Sequence, residues 1–265
     1  MRLPAIAAGL LILFAQPASC LKVAVFAADD VEPTCLKAIE KVLRDAGVPF
    51  DEVKGKDIVD GTIVERYDVL ILPGGAYSER VVHHPRFIEG LKEFARAGGK
   101  IVGICAGAIT LVKGGLVRAK VEGAGLGVGK VTLELERDPL TEGLPDRLEV
   151  TYINGPVMRS QGAKVVARYA GGIVSRGDAI LVDRYGKGEV IAIGPHPCHD
   201  ERGNVNTQGA KLLLNALGVK KRVKSGKVEG EGWFPTPVPV AAVILGLVAA
   251  LGVRGLISRR GTGVK

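Results

Sequence analysis

The sequence predicts an α/β fold: a flavodoxin-like parallel sheet with helices on both faces, followed by a C-terminal transmembrane helix. Three observations predict it. Apolar runs rich in Val, Ile and Leu alternate with amphipathic stretches, as in parallel sheets covered by helices. Glycine turns follow two of those runs directly. Near the end, Trp233 to Val253 is uncharged for 21 residues, long enough to span a bilayer. Composition agrees, since 47% of the 265 residues are hydrophobic and only 5% aromatic. That balance suits buried strands and excludes general disorder.

Taken in order, Arg2, the apolar run Leu3 to Ala15 and the small-residue exit ending at Cys20 read as a signal peptide over 1–20. A domain over 21–218 follows. Strands are expected at Lys22–Phe26, Val69–Leu72 and Lys100–Ile104, with helices at Pro33–Ala46 and Pro85–Ala97. Each helix opens on a proline, and each repeats its apolar residues every three or four positions: Leu36, Ile39, Leu43 and Ala46 in the first, Phe87, Ile88, Leu91, Phe94 and Ala95 in the second. His83 and His84 precede the second helix and suit a capping or surface role. Past residue 130 the pattern becomes half-buried alternation, with strand-like runs at 131–135, 147–152, 163–169, 180–185 and 189–193. Gly123 to Gly129 lacks the spacing of a dinucleotide fingerprint and reads as a loop. A last helix, Thr207 to Leu217, closes the domain at Gly218.

Beyond it come a polar linker over 219–232, a transmembrane anchor over 233–257 and a basic cytoplasmic tail over 258–265. Basic residues flank the span on both sides, so the signal peptide decides the orientation: domain outside the cytoplasm, tail inside. The net charge is +8, yet residues 21–230 carry 31 Lys and Arg against 27 Asp and Glu. The remainder sits at the two ends, and the body gives no strong nucleic-acid signal.

The chemistry concentrates at three places. The strand ending in Gly103-Ile-Cys105-Ala-Gly107 runs straight into a helix, the strand–turn–helix context of a nucleophile elbow. Cys105 at that helix N-terminus is expected to have a lowered pKa. A second turn, Leu72-Pro-Gly-Gly-Ala-Tyr77, follows a neighbouring strand, so the amides of Gly74 or Gly75, with that of Ala106, are candidates for an oxyanion hole. The candidate base lies in Pro195-His196-Pro-Cys-His199-Asp200, after the strand at 189–193.

Pro73-Gly-Gly75, Gly99 to Gly107, Tyr152-Ile-Asn-Gly155 and Gly186 to Pro197, in that order, resemble the class I glutamine amidotransferase-like superfamily. More narrowly they resemble the domain found at the N-terminus of some biotin-protein ligases, which also occurs alone. The resemblance covers Leu21 to Gly218 and implies Cys105 as nucleophile and His196 as base. It places Cys198 where the family carries the Glu of His-Pro-Glu, and Asp200 is the nearest substitute acid. Ala76, Tyr77 and Ala108 stand where glutamine-binding relatives carry other residues.

The resulting expectation is a membrane-anchored, extracytoplasmic domain with a cysteine-dependent hydrolase site for a small amide or peptide-like substrate. A non-catalytic binding or scaffold domain on the same fold is the alternative, because the acid position is lost. No cofactor is expected. Nor is a metal, because His196, Cys198, His199 and Asp200 crowd into five residues instead of forming separated ligand pairs. In an oxidising compartment any bridge would join Cys35 to Cys198 and leave Cys105 reduced.

Overall fold

Val23 and Val25 point to one face of their strand and Ala24 and Phe26 to the other, and all four are buried. A strand apolar on both sides needs cover on both sides, and the chain supplies it. The computed structural model describes residues 21–221 and 225–227. Among them β1 (Val23–Phe26), β2 (Phe50–Val53), β3 (Val69–Leu72), β4 (Lys100–Ile104) and β11 (Gly188–Ile193) pair in parallel in the order β2-β1-β3-β4-β11. Helices α1 (Pro33–Asp45) and α7 (Thr207–Ala216) cover one face. The other is covered by α5 (Pro85–Ala97) and α6 (Ala106–Lys113), together with the short helices α2 (Gly55–Val59), α3 (Ile63–Arg66) and α4 (Ser78–Val81). The caps are local: Glu32 accepts the Thr34 and Cys35 amides at the start of α1, and His84 Nδ1 accepts the Phe87 amide of α5 at 3.1 Å.

The fully parallel sheet expected from the sequence is only half of the sheet found. From β11 it continues antiparallel through β10 (Asp178–Tyr185), β9 (Lys164–Gly172), β6 (Val128–Leu135) and β7 (Arg147–Ile153). A side ribbon of β5 (Ala119–Gly123) and β8 (Val157–Ser160) meets it at β10. The reason is connection length: β10 and β11 are separated by two residues, which permits a hairpin but no crossover helix. No helix among the described residues is long and apolar enough to cross a membrane. The expected signal peptide (1–20), anchor (233–257) and tail (258–265) lie outside the described residues, as does most of the 219–232 linker.

Candidate active site

The parallel strands β1, β3, β4 and β11 all end on one edge, the edge where doubly wound sheets bind ligands. Four loops meet there. The sharpest is the elbow between β4 and α6, where Cys105 holds φ 53° and ψ −105°. Its amide is tied to Ile193 O at 2.8 Å. A non-glycine residue in that region is strained by about 1–3 kcal/mol and persists only where its surroundings over-determine it. Those surroundings are tight: a Cβ on Gly107 would lie 2.2 Å from Leu72 O, so only glycine lets α6 leave the elbow against β3.

The second loop follows β3. Tyr77 Oη donates to Pro73 O at 2.7 Å and closes the turn. Glu32 N–H donates to Gly74 O and Ala76 N–H to Asp30 O, both at 2.8 Å, which laces the turn to the segment before α1. Gly75 is required there, because its φ is 153° and a Cβ would stand 2.4 Å from Asp30 O. This lacing carries the Glu32 carboxylate to the sheet edge, beside the cysteine. The third loop, Tyr152 to Gly155, turns on Asn154 at φ 51°, whose side chain accepts the Gly127 amide at 2.9 Å. The fourth carries His196 and His199.

These loops enclose a cavity of about 580 Å³ whose lining includes Glu32, Gly75, Cys105, Ile153, Asn154 and His196. The Cys105 thiol lies 3.5 Å from Ile153 O. Burial pushes it up to about 12, against the pull of the Ala106 and Gly75 amides, and the Glu32 charge adds to the rise. The lowering expected from the helix N-terminus is therefore reversed, because the site excludes the water that would solvate a thiolate. The amides that exert this pull, of Gly75 and Ala106, lie near the Cys105 sulfur. The Gly74 amide does not; it donates to Cys35 Sγ at 3.3 Å.

His196 is 1% exposed and packs against Gly74, where a Cβ would stand 2.3 Å from its Cε1. Neither ring nitrogen has a hydrogen-bond partner, and the Ile153 carbonyl is near without reaching bonding geometry. Burial, and then the neighbouring His199, hold its pKa down to about 3, so the ring is neutral. Cys198 is buried, its thiol pushed up to about 12 by burial alone. The Asp200 carboxylate is turned to its own loop, accepting from Arg202 N, Asn204 N and Asn204 Nδ2, all at 2.8 Å. Neither residue orients His196. Cys35, Cys105 and Cys198 are free thiols, so the Cys35–Cys198 bridge is not made in this structure.

Two groups that the sequence reading did not take for ligands stand in the same place. Glu32 and Cys35, at the start of α1, gather with His196 and His199, and all four are buried. The signal was the three-residue spacing within each pair, Glu32 to Cys35 and His196 to His199. The expected Cys35–Cys198 pairing already put Cys35 near that sheet edge, whereas nothing in the sequence puts Glu32 there.

The sequence profile of the DJ-1/PfpI family matches residues 21–128. The pyridoxal 5'-phosphate synthase subunit PdxT of Brevibacillus brevis is 29% identical over 195 residues, covering 69% of this chain and 93% of that subunit. The glutamine-hydrolyzing GMP synthase of Thermotoga maritima is 30% identical over 200 residues, but the chain spans only 36% of that enzyme. Among solved structures, PurLQS from Thermotoga maritima superposes with a TM-score of 0.58 at 19% identity, over 76% of this chain and 99% of that one. Profile, relatives and fold agree: the chain carries a domain of the class I glutamine amidotransferase-like superfamily.

Proposed function

We propose that the domain is a cysteine-dependent hydrolase acting on a small amide or peptide-like substrate, with Cys105 as nucleophile. One observation carries this reading: a strained elbow holds the Cys105 sulfur on the wall of a cavity that Gly75 also lines, with the backbone amides of Gly75 and Ala106 near enough to pull its pKa down. The Cys105 thiol gives its proton to His196, and the sulfur attacks the substrate carbonyl. The Gly75 and Ala106 amides hold the resulting oxyanion. Collapse expels the amine, which takes the proton from the imidazolium, and water then hydrolyses the thioester. The glutamine-hydrolyzing relative supports a small amide as the substrate class. The four ordered motifs support a closer kinship with the N-terminal domain of biotin-protein ligases. The apolar segments at 1–20 and 233–257 support export and anchoring, with the domain outside the cytoplasm.

A second reading, a non-catalytic binding domain, is favoured by the unpartnered His196 ring, to which no carboxylate among the described residues is hydrogen-bonded. Acylation separates the two. With chelator-treated full chain and 4-nitrophenyl acetate as probe, the hydrolase reading expects an acetyl group on Cys105 by peptide mass spectrometry. It also expects loss of the burst in Cys105→Ala and a drop of at least ~100-fold in His196→Ala. An unlabelled Cys105, or an equal burst in Cys105→Ala, leaves the binding domain as the function.

A further inference from the structure

Glu32, Cys35, His196 and His199 place one oxygen, one sulfur and two nitrogen ligand atoms within 4.8 Å of one another. This is the donor set of a first-row divalent cation. It also has the separated pairing that such sites use, Glu-x-x-Cys before and in α1 and His-x-x-His after β11. Three of the buried side-chain atoms here, Nδ1 and Nε2 of His196 and Nε2 of His199, have no hydrogen-bond partner. Unsatisfied buried nitrogens are costly, and a cation bonded to one nitrogen of each ring would satisfy two of the three.

Surrounding contacts orient three of the four donors. The Nδ1–H of His199 donates to Asp200 O at 3.0 Å, which leaves the lone pair on Nε2, the unpartnered atom. Glu32 is fixed by the Thr34 and Cys35 amides, and Cys35 Sγ by the Gly74 amide at 3.3 Å. With Cys35 as thiolate and Glu32 as carboxylate, the two negative charges balance a divalent ion, so the filled site would be buried without net charge. Bonds of about 2.0–2.3 Å require the four ligand atoms to close in by about 1 Å at most.

We propose that Glu32, Cys35, His196 and His199 form a closed, four-ligand site for a zinc-type divalent cation, which crosslinks the start of α1 to the loop after β11. Binding releases the Cys35 proton to solvent and forms one sulfur, two nitrogen and one oxygen bond. The site and the hydrolase share His196, so occupation takes that ring out of service as a base, and metal binding is read separately from acylation.

The test uses the full chain, stripped with a chelator and titrated with Zn²⁺ or Co²⁺. One equivalent of Zn²⁺ should bind with a Kd below about 1 µM and raise the Tm. X-ray absorption of the unmutated zinc form should show one sulfur near about 2.3 Å among nitrogen and oxygen neighbours near about 2.0 Å. The cobalt form should show a thiolate charge-transfer band that persists in Cys105→Ser and Cys198→Ser and is lost in Cys35→Ser. His199→Ala should weaken zinc binding at least ~10-fold. Substoichiometric binding, a shell without sulfur, or a band that survives Cys35→Ser would each overturn the proposal. Because the X-ray measurement needs no variant, misfolding of a mutant does not protect it.

Discussion

His196 sits at the crossing of both proposals, and its protonation has a consequence for stability. In the unfolded chain an imidazole titrates near 6.5, whereas burial holds the folded ring down to about 3. Between those values the unfolded state binds a proton that the folded state refuses. The contribution is therefore fully present above pH 6.5 and is lost as pH falls toward 3. The slope is about 1.4 kcal/mol per pH unit. Urea unfolding of metal-free protein at pH 7, 6 and 5 should show this loss, and His196→Gln should flatten it. Asp183 and Asp200, whose carboxyls are held below the usual range, add their losses only at lower pH. An unchanged slope in the variant would mean that the ring is solvated, contrary to the burial described above.

At the scale of elements, the same physics separates what the sequence discloses from what it hides. β1, β3, β4 and β11 were legible because burial on both faces forces unbroken apolar runs, and α1 and α5 because one buried face forces a helical period. β2 was not, since Asp51 and Glu52 are exposed on the edge strand. β5 was hidden likewise, as none of its residues is buried. The helices α2 to α4 span four or five residues and are too short to show a period. In the site, Cys105, Gly75, Ala106 and His196 followed from strand ends on one edge. Glu32 required knowing that the turn after β3 is laced to the segment before α1. The elbow gives the sharpest test of element packing. Gly107→Ala would set a methyl group against Leu72 O and push α6 away from β3. A loss of about 1–3 kcal/mol is expected from such overpacking. It should come with lower Cys105 acylation, because the Ala106 amide moves with the helix. Thermal melts with the acetylation assay check both, and a stable, fully reactive variant would show that the elbow does not need its glycine.

For the whole molecule, the proposed anchoring raises the question of which side of a membrane the domain would stand on. Its own charge does not answer it: residues 21–230 are nearly balanced, and Lys220, Lys221, Arg222, Lys224 and Lys227 before the apolar stretch offset Arg254, Arg259, Arg260 and Lys265 after it. The positive-inside comparison is therefore close to a tie, and the signal-like residues 1–20 break it. The proposed export would bear on the site as well, because an oxidising compartment favours disulfides, whereas a metal on Cys35 would hold that sulfur as a thiolate and keep it from pairing with Cys198. Protease added to intact cells should digest the domain over 21–230 and spare an epitope placed after Val253, while lysed cells should lose both. Immunoblots against the two regions read the result. Survival of the domain in intact cells, with digestion after lysis, would reverse the orientation and return the cysteines to a reducing compartment.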